Sequence, residues 1–227
     1  AIFDQWKGTS VPEDTLLHSR LLHQLCGGNR ITLTQCRRSE RELFEWYASL
    51  VPGQPLRERA LPDVLREARA RFSFQGPARR NLVLSHRRRV RINAQCMQAF
   101  KPDVGARFIR ASSERGQLNA AQNLHVWVGL ELLGCSRNSK KIRNNVLYTV
   151  KEVQEAAVVV VSEGGETISL TDAQVAEMLR LSFARTYASC QGTEFDGTLR
   201  LWDCQHRNFT HKHCLLYTSD AADELRS

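Results

Sequence analysis

The stretch Asn81–Ser85 reads NLVLS and sets the strongest constraint on what this chain can fold into. Leu82, Val83 and Leu84 follow one another instead of alternating with polar residues, and so short an apolar run suits a strand. Consecutive apolar positions belong to a strand covered on both faces, as in a parallel sheet packed between helices. Helical spacing begins directly behind it. Ile92, Cys96, Met97 and Phe100 share one side of a helix predicted over Arg87–Phe100.

The same alternation appears on either side. Leu17, Leu21, Leu22 and Leu25 predict a helix over Leu16–Cys26, stopped by Gly27-Gly28. Arg30–Thr34 alternates and is β-branched, so it reads as a strand. Ser39 is placed to cap a helix carrying Leu43, Phe44, Tyr47 and Leu50, with Glu42 as capping-box partner and Pro52-Gly53 as its stop. Another helix is predicted over Pro62–Phe72. Between Val104 and Leu170 the helical period fades. Strands are predicted at Leu124–Val128, Leu130–Leu133, Val146–Val150, Val158–Glu163 and Glu166–Leu170, the last two flanking a Gly164-Gly165 hairpin turn. Thr171 then caps a helix over Asp172–Met178, followed by strands at Leu179–Arg185 and Thr198–Asp203. The expectation is an α/β fold: a parallel-sheet domain in two parts, 1–103 and 171–213, interrupted by a small antiparallel β-barrel module at 104–170.

Charge narrows the partners. The chain carries a net +8, with arginines grouped at Arg37–Arg38, Arg79–Arg80 and Arg87–Arg89. Guanidinium groups match phosphate geometry, so a phosphate-bearing partner fits, and a solvated basic face fits the charge equally well. The longest apolar run, Ala156–Val161, is far short of the roughly 18–20 residues of a membrane helix, so no membrane partner is expected. The N-terminus AIFDQWKG has neither the basic nor the apolar region of a signal peptide, and a start at Ala suggests that the true beginning lies upstream. Seven cysteines occur without a CxxC pair, which points to a reducing, intracellular compartment. Cys204, His206, His211, His213 and Cys214 crowd together as zinc ligands do, but their spacing fits no standard finger, and no metal site is assigned.

Three segments carry the chemistry. Ala184–Phe195, ARTYASCQGTEF, follows a predicted strand and gathers Thr186, Gln191 and Gly192 on a loop. Loops at the carboxyl ends of parallel strands are where such folds bind ligands, although a polar surface loop has the same composition. Leu33–Leu43, LTQCRRSEREL, follows a strand and opens a helix. Leu82–Gln95, LVLSHRRRVRINAQ, joins strand to basic helix and offers Ser85, His86, Arg87 and Asn93. A lone His86 is no evidence of catalysis.

Together with TLRLWD and HRNFTHKH, these segments resemble the C-terminal domain of superfamily 1 DNA helicases, the UvrD-like type, from about Leu16 to His213. The resemblance implies a RecA-like second motor domain and movement 5′ to 3′ on single-stranded DNA. It implies that Thr186, Gln191 and Gly192 couple nucleotide state to DNA contact, and that Ser85, His86, Arg87 and Asn93 face the nucleic acid. It places Arg38 as an arginine finger on the γ-phosphate of ATP, with Arg37 as the alternative. The inserted β module would guide a strand. Many family members carry His two positions after the motif Thr, where this chain has Ala188. No GxxxxGK[ST] loop occurs, so ATP and Mg2+ would be bound mainly by an N-terminal motor domain upstream of Ala1, and this chain alone would be inactive.

Residues Cys214–Glu224, CLLYTSDAADE, resemble the in-frame translation of a sequencing-library transposon adapter. The expectation is that 214–227 is a non-native tail. Without those fourteen residues the balance is 31 basic against 21 acidic residues, or +10. The alternative to a helicase half is a non-catalytic basic nucleic-acid-binding protein.

Overall fold

The computed structural model describes residues 5–6, 9–10, 19–29, 41–50, 54–111, 122–136, 139–190, 193, 195, 197–210 and 213. The predicted strand Arg30–Thr34, the Ser39 cap and the Pro52-Gly53 stop lie outside them. A two-residue ladder of β1 (Gln5–Trp6) and β2 (Thr9–Ser10) comes first. Helix α1 (Arg20–Leu25) is capped by Ser19, whose Oγ accepts from Leu22 N at 3.3 Å. Then follow α2 (Arg41–Ala48), α3 (Pro55–Glu58) and α4 (Leu61–Arg71).

NLVLS forms β3 (Arg80–Val83) and feeds α5 (His86–Phe100). The antiparallel pair β4 (Arg107–Ile109) and β5 (Leu124–Val126) comes next. It leads into β6 (Glu131–Gly134), β7 (Leu147–Val153), β8 (Val158–Ser162) and β9 (Thr167–Leu170). After α6 (Asp172–Met178) come β10 (Leu179–Leu181), β11 (Ala184–Thr186) and β12 (Leu199–Leu201). The fold is mixed α/β with a parallel sheet.

In that sheet β3 is central, with β11 and β12 parallel on its two sides. Side chains alternate across it. Leu82 enters a cluster with Trp46, Tyr47 and Leu50 of the α2 region and Val64 of α4, while Val83 joins Ile92, Cys96 and Met97 of α5 on the opposite face. Both leucine and valine are fully buried, each worth about 2 kcal/mol of transfer free energy. This is the two-sided covering that an unalternated strand requires.

Five strands form an antiparallel sheet in the order β10-β6-β7-β8-β9. The chain turns between β8 and β9 at Gly164-Gly165, where Gly165 takes φ +81° and its N–H donates to Ser162 O at 2.9 Å. At the end of β6, a Cβ on Gly134 would stand 2.0 Å from the Arg143 carbonyl oxygen, so glycine lets two backbone segments touch. Thr171 caps α6 through a reciprocal box: its Oγ1 accepts from Gln174 N at 3.3 Å, and its N–H donates to Gln174 Oε1 at 3.0 Å.

Two expectations are corrected here. The insertion is not a closed barrel, because no sheet among the described residues closes; β9 and β10 are the two edges of an open one. The predicted strand Leu179–Arg185 is two strands in two sheets. Its first part, β10, pairs antiparallel with β6, and its second, β11, pairs parallel with β3. The break falls at Ser182-Phe183. Ser182 Oγ donates to Glu131 O at 2.7 Å, and the Phe183 ring stacks between Phe100 at 5.6 Å and Trp127 at 6.5 Å. A chain that must leave for the parallel sheet after three residues has no length left to close a barrel.

Candidate nucleic-acid interface

Because β3, β11 and β12 are parallel, the segments that leave their carboxyl ends emerge on one edge. Register sets Thr186 beside Val83 and Leu201 beside Leu82. Ser85 to Arg87, Thr186 and the Trp202-Asp203 turn therefore share that edge.

Ser85 is exposed and caps α5, its Oγ accepting from Arg88 N at 3.2 Å. The first turn that follows contains His86 and three arginines and no acid. A helix N-terminus already carries partial positive charge, so arginines there are unfavourable unless an anion offsets them. Arg87 is exposed. Arg88 pairs with Asp203 Oδ1 at 2.5 Å, and Asp203 Oδ2 accepts from Leu84 N at 2.9 Å. Asp203 thus ties the end of β12 to the β3–α5 turn, from a left-handed backbone at φ 62°. Trp202 lies under the Arg88 guanidinium at 5.2 Å and donates from Nε1 to Asn81 Oδ1 at 2.9 Å.

Arg89, Arg180 and Arg185 are buried, at 2%, 4% and 5% exposed. Burial, and then Arg180, lower the Arg89 guanidinium to about 10. Burial, with Arg185 among the further causes, lowers Arg180. Arg89 still keeps its charge at neutral pH. Arg180 Nη2 donates to Asn145 Oδ1 at 3.3 Å, and Arg185 Nη2 to Ser189 O at 2.9 Å. These cations sit behind the exposed arginines and add to the positive field over the edge.

The surroundings of His86 favour its uncharged form. Burial, followed by Arg89 and Arg180, hold its imidazole below the usual histidine range, and its Nδ1 has no hydrogen-bond partner among the described residues. Thr186 ends β11 at 6% exposure, and its carbonyl accepts from Ser189 Oγ at 2.9 Å across the short turn Tyr187–Ser189. Tyr187 Oη donates to Trp202 O at 2.8 Å, fixing this turn to the next strand.

Asn93 lies in the core at 0% exposure. Its Oδ1 accepts from Ala184 N at 2.7 Å, and its Nδ2 donates to Leu181 O at 3.2 Å, Ala184 O at 3.4 Å and Gln122 Oε1 at 3.3 Å. It holds α5 to the point where β10 gives way to β11. Arg38, Gln191 and Gly192 lie outside the described residues. So do His211 and Cys214, while Cys204 Sγ donates to Leu201 O at 3.5 Å, His206 Nδ1 accepts from Asn208 N at 3.2 Å and His213 Nδ1 from Thr210 N at 3.1 Å. No group of three or more His, Cys, Asp or Glu that could hold a metal occurs among the described residues.

The sequence pointed to Ser85, His86, Arg87 and Thr186, and the structure brings all four to one edge. The role of Asp203 and the burial of Arg89, Arg180 and Arg185 were not foreseen. For Asp203 the signal was an acid at the last position of the predicted strand Thr198–Asp203.

Solved structures resemble this chain in fold. A Bacteroides Pif1 bound to ssDNA superposes with a TM-score of 0.55 at 18% identity, covering 85% of this chain and 49% of that one. Over that region the chain resembles a Pif1 helicase in fold. A Pif1 structure concerned with DNA unwinding at forked dsDNA gives 0.54 at 17% identity, over 83% and 46%. Bacteroides Pif1 in complex with ADP-AlF3 and ssDNA gives 0.50 at 18%, over 87% and 52%. The chain spans about half the length of these Pif1 structures. No family model matches it, and no curated protein does. No helix among the described residues is long and apolar enough to cross a membrane.

Proposed function

We propose that this chain is the C-terminal, RecA-like motor half of an ATP-dependent superfamily 1 DNA helicase of the UvrD-like C-terminal type, moving 5′ to 3′. The observation that carries the reading is the shared fold with a Pif1 helicase bound to ssDNA over 85% of the chain, with the basic edge at the carboxyl ends of its parallel strands. Single-stranded DNA is the partner of that edge. Arg87 contacts backbone phosphate, Ser85 presents the start of α5, and His86 fills the first helical position. Thr186 with Gln191 and Gly192 passes domain closure to the DNA. Asn93 acts from within, holding β11 in place beneath Thr186.

ATP hydrolysis supplies the free energy of movement in such a motor. The residues here do not build its site: the chain has no phosphate loop, and no metal-holding cluster occurs among the described residues. ATP and Mg2+ fall to an N-terminal motor domain, to which this half adds Arg38. The sheet of β6 to β10 and the β4–β5 pair form the strand-guiding unit, with 104–170 as its core and 214–227 as a foreign tail. Sequencing the genomic frame upstream of Ala1 tests the reading. The expected result is an open frame containing GxxxxGK[ST]. A short frame without a phosphate loop would instead mark a non-catalytic nucleic-acid-binding protein.

A further inference from the structure

The β4–β5 ladder keeps one face in the core and turns the other outward. Phe108 stands opposite His125 in register, and Ile109 opposite Leu124. Ile109, Leu124 and Val126 are buried, so alternation puts Phe108, Arg110 and His125 on the outward face. The Phe108 ring is 50% exposed and lies 5.1 Å from the His125 ring, tilted by 54°. Arg110 is exposed two positions along the same strand. A single exposed phenylalanine is ordinary on any surface. Two adjacent rings beside a guanidinium on a fixed ladder are a more specific arrangement.

The ladder is anchored along α5. His125 N donates to Met97 Sδ at 3.3 Å, and Gln122 Nε2 donates to Val90 O at 3.3 Å. Ala111 N donates to Asn123 Oδ1 at 2.8 Å and closes the near end. The Arg110–Asn123 end is therefore next to the α5 turn that holds Val90, close to the exposed Arg87 and Arg91. The aromatic pair continues the basic edge away from the parallel sheet.

We infer that the outward face of β4–β5 is a stacking platform for unpaired nucleic-acid bases, with Phe108 and His125 receiving bases and Arg110 the adjoining phosphate. This rests on the reading of the chain as a single-strand-binding motor half. Stacking tolerates every base, because each has a π-face, so the platform suits a protein that must move along any sequence. The ring pair favours nucleic acid over a protein partner because cations flank it on the side leading to α5.

The test is binding of a fluorescein-labelled oligothymidylate to the 227-residue chain at several salt concentrations. Phe108→Ala should weaken binding about tenfold and leave the salt slope unchanged, since the ring carries no charge. Arg110→Ala should instead reduce the log–log slope by about 0.7. Phe108→Leu should fall with Phe108→Ala, and Phe108→Trp should bind at least as well as wild type, which separates stacking from loss of apolar bulk. Wild-type binding that Phe108→Ala or Phe108→Leu leaves intact overturns the platform alone. Failure of the wild-type chain to bind overturns both the platform and the motor-half reading.

Discussion

Arg38→Ala, made in the protein restored to its full length, should lower ATP turnover by about 10³–10⁵-fold while leaving single-stranded DNA affinity essentially unchanged. The reason is positional. The sequence LTQCRRSEREL predicts a strand running into a helix, with Arg38 directly before Ser39 at the expected junction. The helicase resemblance aims this guanidinium at the γ-phosphate bound by the other motor domain. Charge grows on the transferring phosphoryl group as the bond breaks, and a cation held there acts on the barrier, not on the DNA. Arg37→Ala is the matched control and should cost far less. Steady-state ATPase and oligonucleotide binding, measured on the same preparations, separate the outcomes. Equal loss of both activities would make Arg38 a DNA contact or a folding residue.

Asn93→Ala should destabilise the chain by about 3 kcal/mol, measured by denaturant unfolding. The side chain sits at 0% exposure and bonds both backbone groups of Ala184 and the carbonyl of Leu181. Removing it leaves the Ala184 N–H, engaged at 2.7 Å, buried without that acceptor, and each such orphan costs about 1–3 kcal/mol. The same loss frees the Ser182-Phe183 crossing, so Thr186 at the end of β11 should shift as well. A cost below about 1 kcal/mol would mean that these bonds contribute little beyond what water replaces.

Local signals were legible where local physics decides the structure. The NLVLS run, the Gly164-Gly165 turn and the Thr171 cap each rest on a few neighbouring residues, and each formed as read. The passage from β10 to β11 was not legible, because a residue pattern of period two is the same whichever sheet receives it. Asn93 was expected to face the nucleic acid and Arg89 to belong to an arginine cluster for phosphate, yet both are buried. Their spacing carried the signal: residues 89, 93, 96 and 100 recur at intervals of four, three and four, and Asn93 lies beside Ile92 and Cys96 on the buried stripe. Charge argued for exposure and helical phase for burial, and phase won. The open sheet also defeated a strand count, since five strands close only if the last can reach the first.

The shared edge of Ser85, Arg87 and Thr186 depends on strand direction, which only the parallel pairing of β3 with β11 establishes. Its function is tested most directly on the chain itself, by titrating a labelled single-stranded oligonucleotide across a range of salt concentrations with an ATPase assay alongside. Backbone phosphates bound by arginine release counterions, so affinity must fall as salt rises. For a surface that neutralises about three phosphates the log–log slope is about −2. The account predicts that steep fall, little preference among base sequences and no ATP hydrolysis by the chain alone. Salt-insensitive binding, or robust ATP turnover without any added domain, would contradict it.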